Sequence, residues 1–205
     1  MGFYSRYIFP RVMDRVMSSR QMSRVRAAVL SGVRGDVFEV GVGTGLNLPH
    51  YPDHVKRLTT ADPNEGMCAF ARERSAAAGI EVTHYTVSGE SLPVDDGSFD
   101  CVVCTWTLCS IPDAARALRE VHRILRPHGT FRFVEHGIAD DDTVRRWQHR
   151  LTPLNKILAD GCHLNRDMRT LIAAQNFRFD KIENYYLRKV PRVAGYLYEG
   201  VASKI

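Results

Sequence analysis

Three glycines at alternate positions, Gly41, Gly43 and Gly45, are the residues of this sequence whose spacing points most directly to chemistry. Glycine lets a backbone turn sharply and approach a ligand without side-chain obstruction. The glycines follow residues 36–40, a short run rich in β-branched and aromatic side chains that is typical of a buried parallel strand. About twenty residues further on, Asp62 ends a second apolar run, where a carboxylate can accept hydrogen bonds from both hydroxyls of a ribose. The glycines and the acid together predict a nucleoside-binding site.

The glycine pattern differs from the fingerprint of dinucleotide-binding proteins. That fingerprint, GxGxxG, spaces its third glycine so that a helix N-terminus can meet a pyrophosphate. Here Glu39 precedes the glycines, and the third glycine comes one residue earlier than in the fingerprint. An acid at the head of the loop disfavours a phosphate and suits a cationic ligand. The alternative is a tight turn without a ligand, which the flanking strand and helix patterns make the weaker interpretation.

Length and composition indicate one globular domain. The chain has 205 residues, of which 44% are apolar and 25% charged, so disordered and fibrous classes are excluded. No uninterrupted apolar run approaches the roughly 20 residues that span a bilayer, and no signal peptide is visible. The sequence therefore predicts a cytoplasmic protein.

The cysteines support a reducing compartment. There are five, an odd number, and Cys101, Cys104 and Cys109 cluster around one predicted strand. This favours free thiols over a disulfide framework. The same three residues invite comparison with a zinc site, but no second cysteine pair accompanies them. Since free cysteine behaves as a small hydrophobic residue, we predict core cysteines and no metal site.

Positive charge is concentrated at the N-terminus. Residues 1–35 contain one acid, Asp14, against seven arginines, a net charge of +6, whereas the whole chain carries +5: Arg6, Arg11, Arg15, Arg20, Arg24, Arg26 and Arg34. Apolar residues between them recur at helical spacing, which predicts a basic amphipathic helix. Such a helix either covers the active site as a lid or lies on an anionic membrane surface through residues 1–30. No basic stripe continues into the rest of the chain, so nucleic-acid binding is not expected.

Strand and helix patterns alternate after residue 35, which is the signature of a doubly wound parallel sheet. We predict strands over residues 36–40, 57–61, 80–87, 99–104, 130–135, 177–186 and 193–200. We predict helices after Thr44, from the cap Asn64 to Ala78 with Gly79 as its stop, between Pro112 and Pro127, and over 141–159 and 167–175. The expected fold is a Rossmann-like α/β sheet of seven mostly parallel strands with an antiparallel C-terminal hairpin and helices on both faces. It forms one domain over residues 1–205, with an N-terminal segment (1–33), a ligand-binding core (34–137) and a substrate-side region (138–205).

The stretch from Glu39 to Gly45 resembles the first motif of class I S-adenosylmethionine-dependent methyltransferases, whose cofactor carries a sulfonium. Residues 91–100 (SLPVDDGSFD) resemble the passage before the fourth strand of that superfamily. Residues 118–130 (LREVHRILRPHGT) resemble a later segment, with His128 in place of the usual first glycine. The resemblance covers residues 35–136 and is specific for the superfamily, but it says little about the substrate.

The resemblance implies an S-adenosylmethionine site built from a defined set of residues: Glu39, Gly41, Gly43, Thr44, Gly45, Asp62, Pro63, Asn64, Met67, Ser88, Gly89, Glu90, Thr105 and Trp106. Many relatives place an aspartate shortly before the Leu-Pro pair to bind the adenine amino group. Ser88 stands at that place here, so Ser88, the backbone of Gly89 and Glu90, or the Glu90 side chain is expected to contact adenine. The alternative for Glu90 is a solvent-exposed acid.

Three passages, beginning at the end of the fourth predicted strand, resemble the small alkyl thiol methyltransferases of the methyltransferase-like family. The proteins of that family are membrane-associated. The passages are residues 103–110, 134–136 and 160–167. His163 stands where the family motif has asparagine, and the basic N-terminal segment replaces a longer hydrophobic anchor. The resemblance implies S-methylation of a small hydrophobic thiol. The alternatives are N-methylation of a phospholipid head group, methylation of a quinone or phenolic small molecule, and a cofactor-binding module without turnover.

Methyl transfer from a sulfonium is an in-line displacement that depends chiefly on positioning and desolvation. The acceptor must present an unprotonated lone pair, which a thiol with a pKa near 8.5 provides readily as thiolate. His136, or Asp160 together with His163, could assist as a base. His136 is predicted at the carboxyl end of a strand, where ligands bind in open α/β sheets. A structural ion pair between Asp160 and Arg166 is the alternative for the acid.

Overall fold

The computed structural model describes residues 2–205. Its strands are β1 (Val37–Val40), β2 (Arg57–Ala61), β3 (Glu81–Tyr85), β4 (Phe99–Thr105), β5 (Leu125–His136), β6 (Phe177–Tyr186) and β7 (Tyr196–Lys204). They form one seven-stranded sheet in the order β3-β2-β1-β4-β5-β7-β6. The first five strands pair in parallel, and β7 runs antiparallel to both β5 and β6. The predicted Rossmann-like sheet with an antiparallel C-terminal hairpin is confirmed.

The helices are α1 (Phe9–Met17), α2 (Arg20–Leu30), α3 (Glu65–Ala78), α4 (Ala114–Ile124), α5 (Asp142–Leu158), α6 (Met168–Ala173) and α7 (Arg192–Gly195). A π-helical segment, Tyr4–Ile8, precedes α1, and a 3-10 turn covers Leu48–His50. No helix in the described part of the chain combines the length and hydropathy needed to cross a bilayer.

Several predicted boundaries were wrong. β5 begins at Leu125 and not at residue 130, so the preceding helix ends at Ile124 and does not reach Pro127. The α-helix expected after Thr44 is only the 3-10 turn, because Pro49 has no backbone N–H for a helical hydrogen bond. The last strand begins at Tyr196 and continues to Lys204, since the residues just before it form α7.

Local sequence signals explain where α3 begins and ends. The side chain of Asn64 accepts a hydrogen bond from the N–H of Gly66 at 3.0 Å, which caps the first turn. Gly79 ends the helix at φ +64°, a left-handed conformation that glycine adopts without the penalty of a Cβ atom. Both predicted caps are confirmed, and they place the first turn of α3 directly after Asp62.

The core lies on both faces of the central strands. Val102, Val103 and Cys104 of β4 are fully buried in succession, as expected of a strand covered by helices on both sides. All five cysteines are buried free thiols. The apolar face of α4, including Leu118 and Val121, packs into this core.

The order of the strands creates a ligand crevice. β1 lies between β2 and β4, so the chain reverses its direction of travel across the sheet at this point. In open α/β sheets, ligands bind outside the carboxyl ends of the strands at such a switch point. The glycine loop follows β1, Asp62 follows β2, Trp106 follows β4, and His136 ends β5. The fold therefore gathers the predicted site residues at one edge.

Candidate functional site

Asp62 connects the ends of β1 and β2. One of its carboxylate oxygens accepts a hydrogen bond from the N–H of Gly43 at 2.9 Å, and the other accepts one from the N–H of Asn64 at 2.9 Å. Burial raises the pKa of Asp62, while these two backbone donors act in the opposite direction. Each carboxylate oxygen has a second lone pair, so the side chain can still accept hydrogen bonds from ribose hydroxyls.

The glycine loop is packed on one side and open on the other. Gly41 has φ +75°, and a Cβ atom there would lie 2.1 Å from the side-chain oxygen of Thr107. Gly43 has φ +54°, and a Cβ atom there would meet no atom within 4 Å. The backbone at Gly43 therefore borders open space beside Asp62, where a ligand can approach it.

The remaining residues of the loop and the first turn of α3 differ in their exposure. The carbonyl of Thr44 accepts a hydrogen bond from Arg74 at 2.5 Å, and Thr44 is buried. Gly45 packs closely against α3, where a Cβ atom would lie 2.8 Å from the backbone. Pro63 is exposed and Met67 half-buried. Of these four positions, only Pro63 and Met67 are therefore accessible to solvent to a substantial extent.

Glu39, on β1, stabilises the region of the glycine loop through buried hydrogen bonds. Its carboxylate accepts hydrogen bonds from the side-chain amide of Asn47 at 2.7 Å and from the hydroxyl of Tyr51 at 2.8 Å. The same amide nitrogen of Asn47 lies 3.0 Å from the hydroxyl of Thr105. Burial raises the pKa of Glu39 to about 7, although the two donors act to lower it. Glu39 is thus the centre of a buried network that joins the loop region to the end of β4.

Trp106 lies under a helix of the N-terminal segment. It has φ +50°, and its N–H donates to the carbonyl of Val134 at 2.8 Å. The guanidinium of Arg26 lies 4.8 Å from the centre of its ring, within cation–π range. Burial lowers the pKa of Arg26 to about 10. Trp106 therefore connects α2 to the ends of β4 and β5.

The loop that is predicted to contact adenine forms hydrogen bonds within the protein. The hydroxyl of Ser88 donates to one carboxylate oxygen of Glu90 at 2.8 Å. The other oxygen accepts from the N–H of Asp113, which caps α4, at 2.7 Å. Gly89 is buried against the side chain of Val40. Glu90 is therefore not simply a solvent-exposed acid, because it ties this loop to the start of α4.

The N-terminal segment crosses the same edge of the sheet. The hydroxyl of Ser5 donates to Asp160 at 2.8 Å, and the side-chain amide of Asn64 donates to the carbonyl of Ser5 at 2.9 Å. Tyr4 donates to the carbonyl of Leu158 at 2.7 Å. Residues 4–8 thus connect the start of α3 with the end of α5.

His136 ends β5 and contacts two residues of the turn after α5. Its Nε2 atom lies 3.2 Å from the sulfur of Cys162 and 3.1 Å from the carbonyl oxygen of His163. Burial lowers the pKa of His136, but the contacts with Cys162, Glu135 and this carbonyl outweigh burial and raise it. The sulfur of Cys162 also lies 3.7 Å from that of Cys109.

Asp160 and His163 have separate partners. Asp160, at φ +45°, accepts the hydrogen bond from Ser5, whereas the Nδ1 atom of His163 lies 3.1 Å from the carbonyl oxygen of Cys109. Burial lowers the pKa of His163. Arg166 donates to the carbonyls of Leu108 and Pro112. Within residues 2–205 neither an Asp160–His163 hydrogen bond nor an Asp160–Arg166 ion pair is formed.

Comparison with known proteins identifies the family. The model of the Methyltransferase domain family matches residues 38–133. The human thiol S-methyltransferase TMT1B is 33% identical over 179 residues, which cover 81% of this chain and 72% of that protein. The chain belongs to the S-adenosylmethionine-dependent methyltransferase family.

Two further comparisons extend this result. The human thiol S-methyltransferase TMT1A is 39% identical over 152 residues, covering 72% of this chain and 62% of the relative, so the chain spans less than two thirds of that protein's length. The N-methyltransferase NodS from Bradyrhizobium japonicum, solved with S-adenosyl-L-homocysteine, superposes with a TM-score of 0.71 at 16% identity. That alignment covers 93% of this chain and 90% of NodS, and shows a shared methyltransferase fold.

Sequence reasoning missed several residues that organise this edge of the sheet. Glu135 is fully buried and accepts hydrogen bonds from the N–H groups of Thr107 and Leu108 at 2.8 and 2.9 Å. An acid directly after the apolar pair Phe133 and Val134, next to His136, was the available signal. Asn47 and Tyr51 carry no comparable signal, because their role depends on the turn that brings them to Glu39.

The buried state of Glu39 predicts a pH dependence of stability. Its pKa is 4.5 when unperturbed and about 7 in the fold, so between these values the folded chain keeps a proton that the unfolded chain has released. Stability therefore falls as pH rises through this interval. The free energy of unfolding is measured in urea for the wild type and for Glu39→Gln. As the pH rises from 4.5 to about 7, the wild-type value should decrease by roughly 3 kcal/mol relative to that of the variant.

The control is Glu81→Gln, which removes an exposed glutamate at the start of β3 and should follow the wild type. A difference between wild type and Glu39→Gln that stays constant with pH would contradict the assignment.

Proposed function

We propose that the protein transfers the methyl group of S-adenosylmethionine to the sulfur of a small hydrophobic thiol. The observation that carries the proposal is the meeting of the three passages that resemble thiol methyltransferases. Cys109, His136 and Cys162, one from each passage, lie in contact range at the edge of the sheet that carries the glycine loop. The similarity to two human thiol S-methyltransferases supports the same acceptor class.

The cofactor is expected to lie between the glycine loop and Asp62. Asp62 would accept hydrogen bonds from the ribose hydroxyls, and the open space at Gly43 would let the cofactor approach the backbone. The loop from Ser88 to Glu90 would border the adenine. The acids at this edge, including Asp160, favour a ligand that carries the positive charge of a sulfonium.

The reaction requires few reacting protein groups. The thiolate sulfur attacks the methyl carbon, the bond between that carbon and the sulfonium sulfur breaks, and its electron pair remains on S-adenosylhomocysteine. The fold contributes by holding donor and acceptor in line and excluding water. His136 is the polar group best placed to favour removal of the thiol proton. The five free thiols of the chain support a reducing compartment such as the cytoplasm.

Cofactor binding is tested with two glycines that have similar φ angles. Gly43 and Gly79 both have positive φ, and neither has an atom within 4 Å of an added Cβ. Gly43→Val and Gly79→Val should therefore be similarly strained, but only the first places a side chain beside Asp62. By isothermal titration, Gly43→Val should abolish S-adenosylhomocysteine binding and Asp62→Ala should weaken it roughly tenfold to a hundredfold.

Gly79→Val should bind like the wild type. Equal loss in both valine variants would attribute the effect to backbone strain, and binding of NAD with no response to S-adenosylhomocysteine would refute the cofactor assignment.

The acceptor is tested with a labelled methyl donor and a panel of alkyl thiols, phosphatidylethanolamine and phenolic or quinone acceptors. Turnover should occur with alkyl thiols. In His136→Ala it should fall most at pH values below the pKa of the acceptor, where help in removing the proton matters most. The control is His149→Ala, which changes an exposed histidine on α5.

Turnover confined to phosphatidylethanolamine or to phenolic acceptors would contradict the thiol proposal. Cofactor binding without turnover on any acceptor would support a binding module instead. A loss in His136→Ala that is equal at every pH would mean that this residue only shapes the pocket.

We infer that residues 4–8 act as a lid over the cofactor. This inference is supported by the contacts of Ser5 with Asp160 and Asn64 and by the close packing of Arg6 on Gly66. The opposite side of the segment leaves apolar side chains exposed, including Val12 and Val16. A membrane surface is the competing partner for that side.

Two double variants separate the lid from membrane contact. Tyr4→Phe with Ser5→Ala removes two hydrogen bonds of the segment and should speed S-adenosylhomocysteine release roughly tenfold, measured by stopped flow. Val12→Ser with Val16→Ser changes only exposed side chains and should leave release unchanged. The lid would be refuted by unchanged release in the first variant. Binding to anionic vesicles that is lost at high salt and in the second variant would establish membrane contact.

A further inference from the structure

Cys109, His136 and Cys162 form a compact group of buried side chains. The two sulfurs and a ring nitrogen all lie within 4.8 Å of one another. Cys162 is central, with its sulfur 3.2 Å from Nε2 of His136 and 3.7 Å from the sulfur of Cys109. The three residues come from the turn after β4, the end of β5 and the turn after α5.

The group has the donor atoms and spacing of a zinc site. Zinc binds thiolate sulfur at about 2.3 Å in tetrahedral geometry, which places two ligating sulfurs about 3.8 Å apart. The sulfurs of Cys109 and Cys162 are separated by 3.7 Å. Two thiolates and a neutral imidazole balance the charge of Zn²⁺, so the ion can be buried without a net charge. Soft sulfur ligands also favour zinc over magnesium or calcium.

We propose that Cys109, His136 and Cys162 bind a Zn²⁺ ion. In the sequence, Cys109 lies near Cys101 and Cys104, which are on β4. In the fold, its neighbours are instead His136 and Cys162, which are distant along the chain. A metal site in this fold differs from the expectation that the cysteines only fill the core.

The protein holds the ligands in place through their neighbours. Glu135 accepts hydrogen bonds from the turn that carries Cys109. The carbonyl of Cys109 accepts from the N–H of His163 at 2.8 Å, and the carbonyl of Cys162 accepts from Asn155 at 2.9 Å. Such outer contacts orient the ligands of metal sites. The arrangement is therefore fixed by hydrogen bonds other than those among the three ligands.

Three protein ligands leave the fourth tetrahedral position of zinc for water or substrate, as in catalytic zinc sites. On the proposed function, this position receives the sulfur of the acceptor. The thiol loses its proton to water when it binds, and the bound thiolate attacks the methyl carbon while the sulfonium–carbon bond breaks toward S-adenosylhomocysteine. His136 would then assist removal of the proton as a ligand of the metal.

The experiment starts from reduced, metal-free protein titrated with Co²⁺ and then Zn²⁺. The wild type should bind one ion per chain, show a thiolate-to-cobalt charge-transfer band, and lose it when zinc displaces cobalt. Cys109→Ser and Cys162→Ser should weaken zinc binding at least tenfold. The matched control is Cys68→Ser, since Cys68 is a buried thiol whose sulfur lies 2.9 Å from Nε2 of His84 but belongs to no three-ligand group in the described chain.

Zinc binding by the wild type no tighter than by the Cys109→Ser/Cys162→Ser double variant would overturn the proposal, as would binding of copper(I) alone. If the variants do not fold, the cobalt spectrum of the wild type decides by itself, and absence of the thiolate band overturns the site. An alkyl thiol should shift that spectrum, and an unchanged spectrum would refute the acceptor role. Because metal binding is measured without methyl donor, its failure is distinguishable from failure of thiol methylation.

Discussion

The buried carboxylate of Asp62 makes the contacts on which the geometry of the glycine loop and its neighbouring turn depends. It accepts one backbone hydrogen bond from Gly43 and another from Asn64, and thereby couples the turn after β1 to the turn after β2. A carboxylate buried without donors would be costly, so the acid and the two turns have to be ordered together. Asn64 also meets Ser5, which makes the position of the N-terminal segment dependent on the same arrangement.

Glu135 has a corresponding role for a second turn. It is fully buried at the end of β5 and holds the turn after β4 through the N–H groups of Thr107 and Leu108. Methyl transfer asks mainly for correct placement of two reactants. Buried acids that accept hydrogen bonds from loop backbones meet this requirement without taking part in bond formation. Asp62 and Glu135 each fix a turn that is remote from them in the sequence.

The N-terminal segment belongs to the fold more closely than its charge suggests. Arg26 is buried over Trp106, and Asp14 pairs with Arg74 of α3 at 2.7 Å. Arg6 lies 3.0 Å from Glu65. Part of the positive charge counted along the sequence therefore acts within the protein: Arg26 holds α2 to the core and Arg6 holds the segment before α1. The acid Asp14 holds α1 itself. The exposed apolar side chains of α1 remain on the other side of the segment.

The sequence by itself was sufficient for the sheet, the glycine loop and the caps of α3, because these follow from local spacing, backbone freedom at glycine and short-range capping. It was not sufficient for the turn at Leu48–His50, where Pro49 overrides the helical pattern. It also did not reveal the group of Cys109, His136 and Cys162. Cys162 is separated from the other two by 53 and 26 positions in the chain. Only the strand order and the packing of three turns against one edge bring their side chains together, since proximity between distant residues is set by tertiary contacts and not by spacing along the sequence.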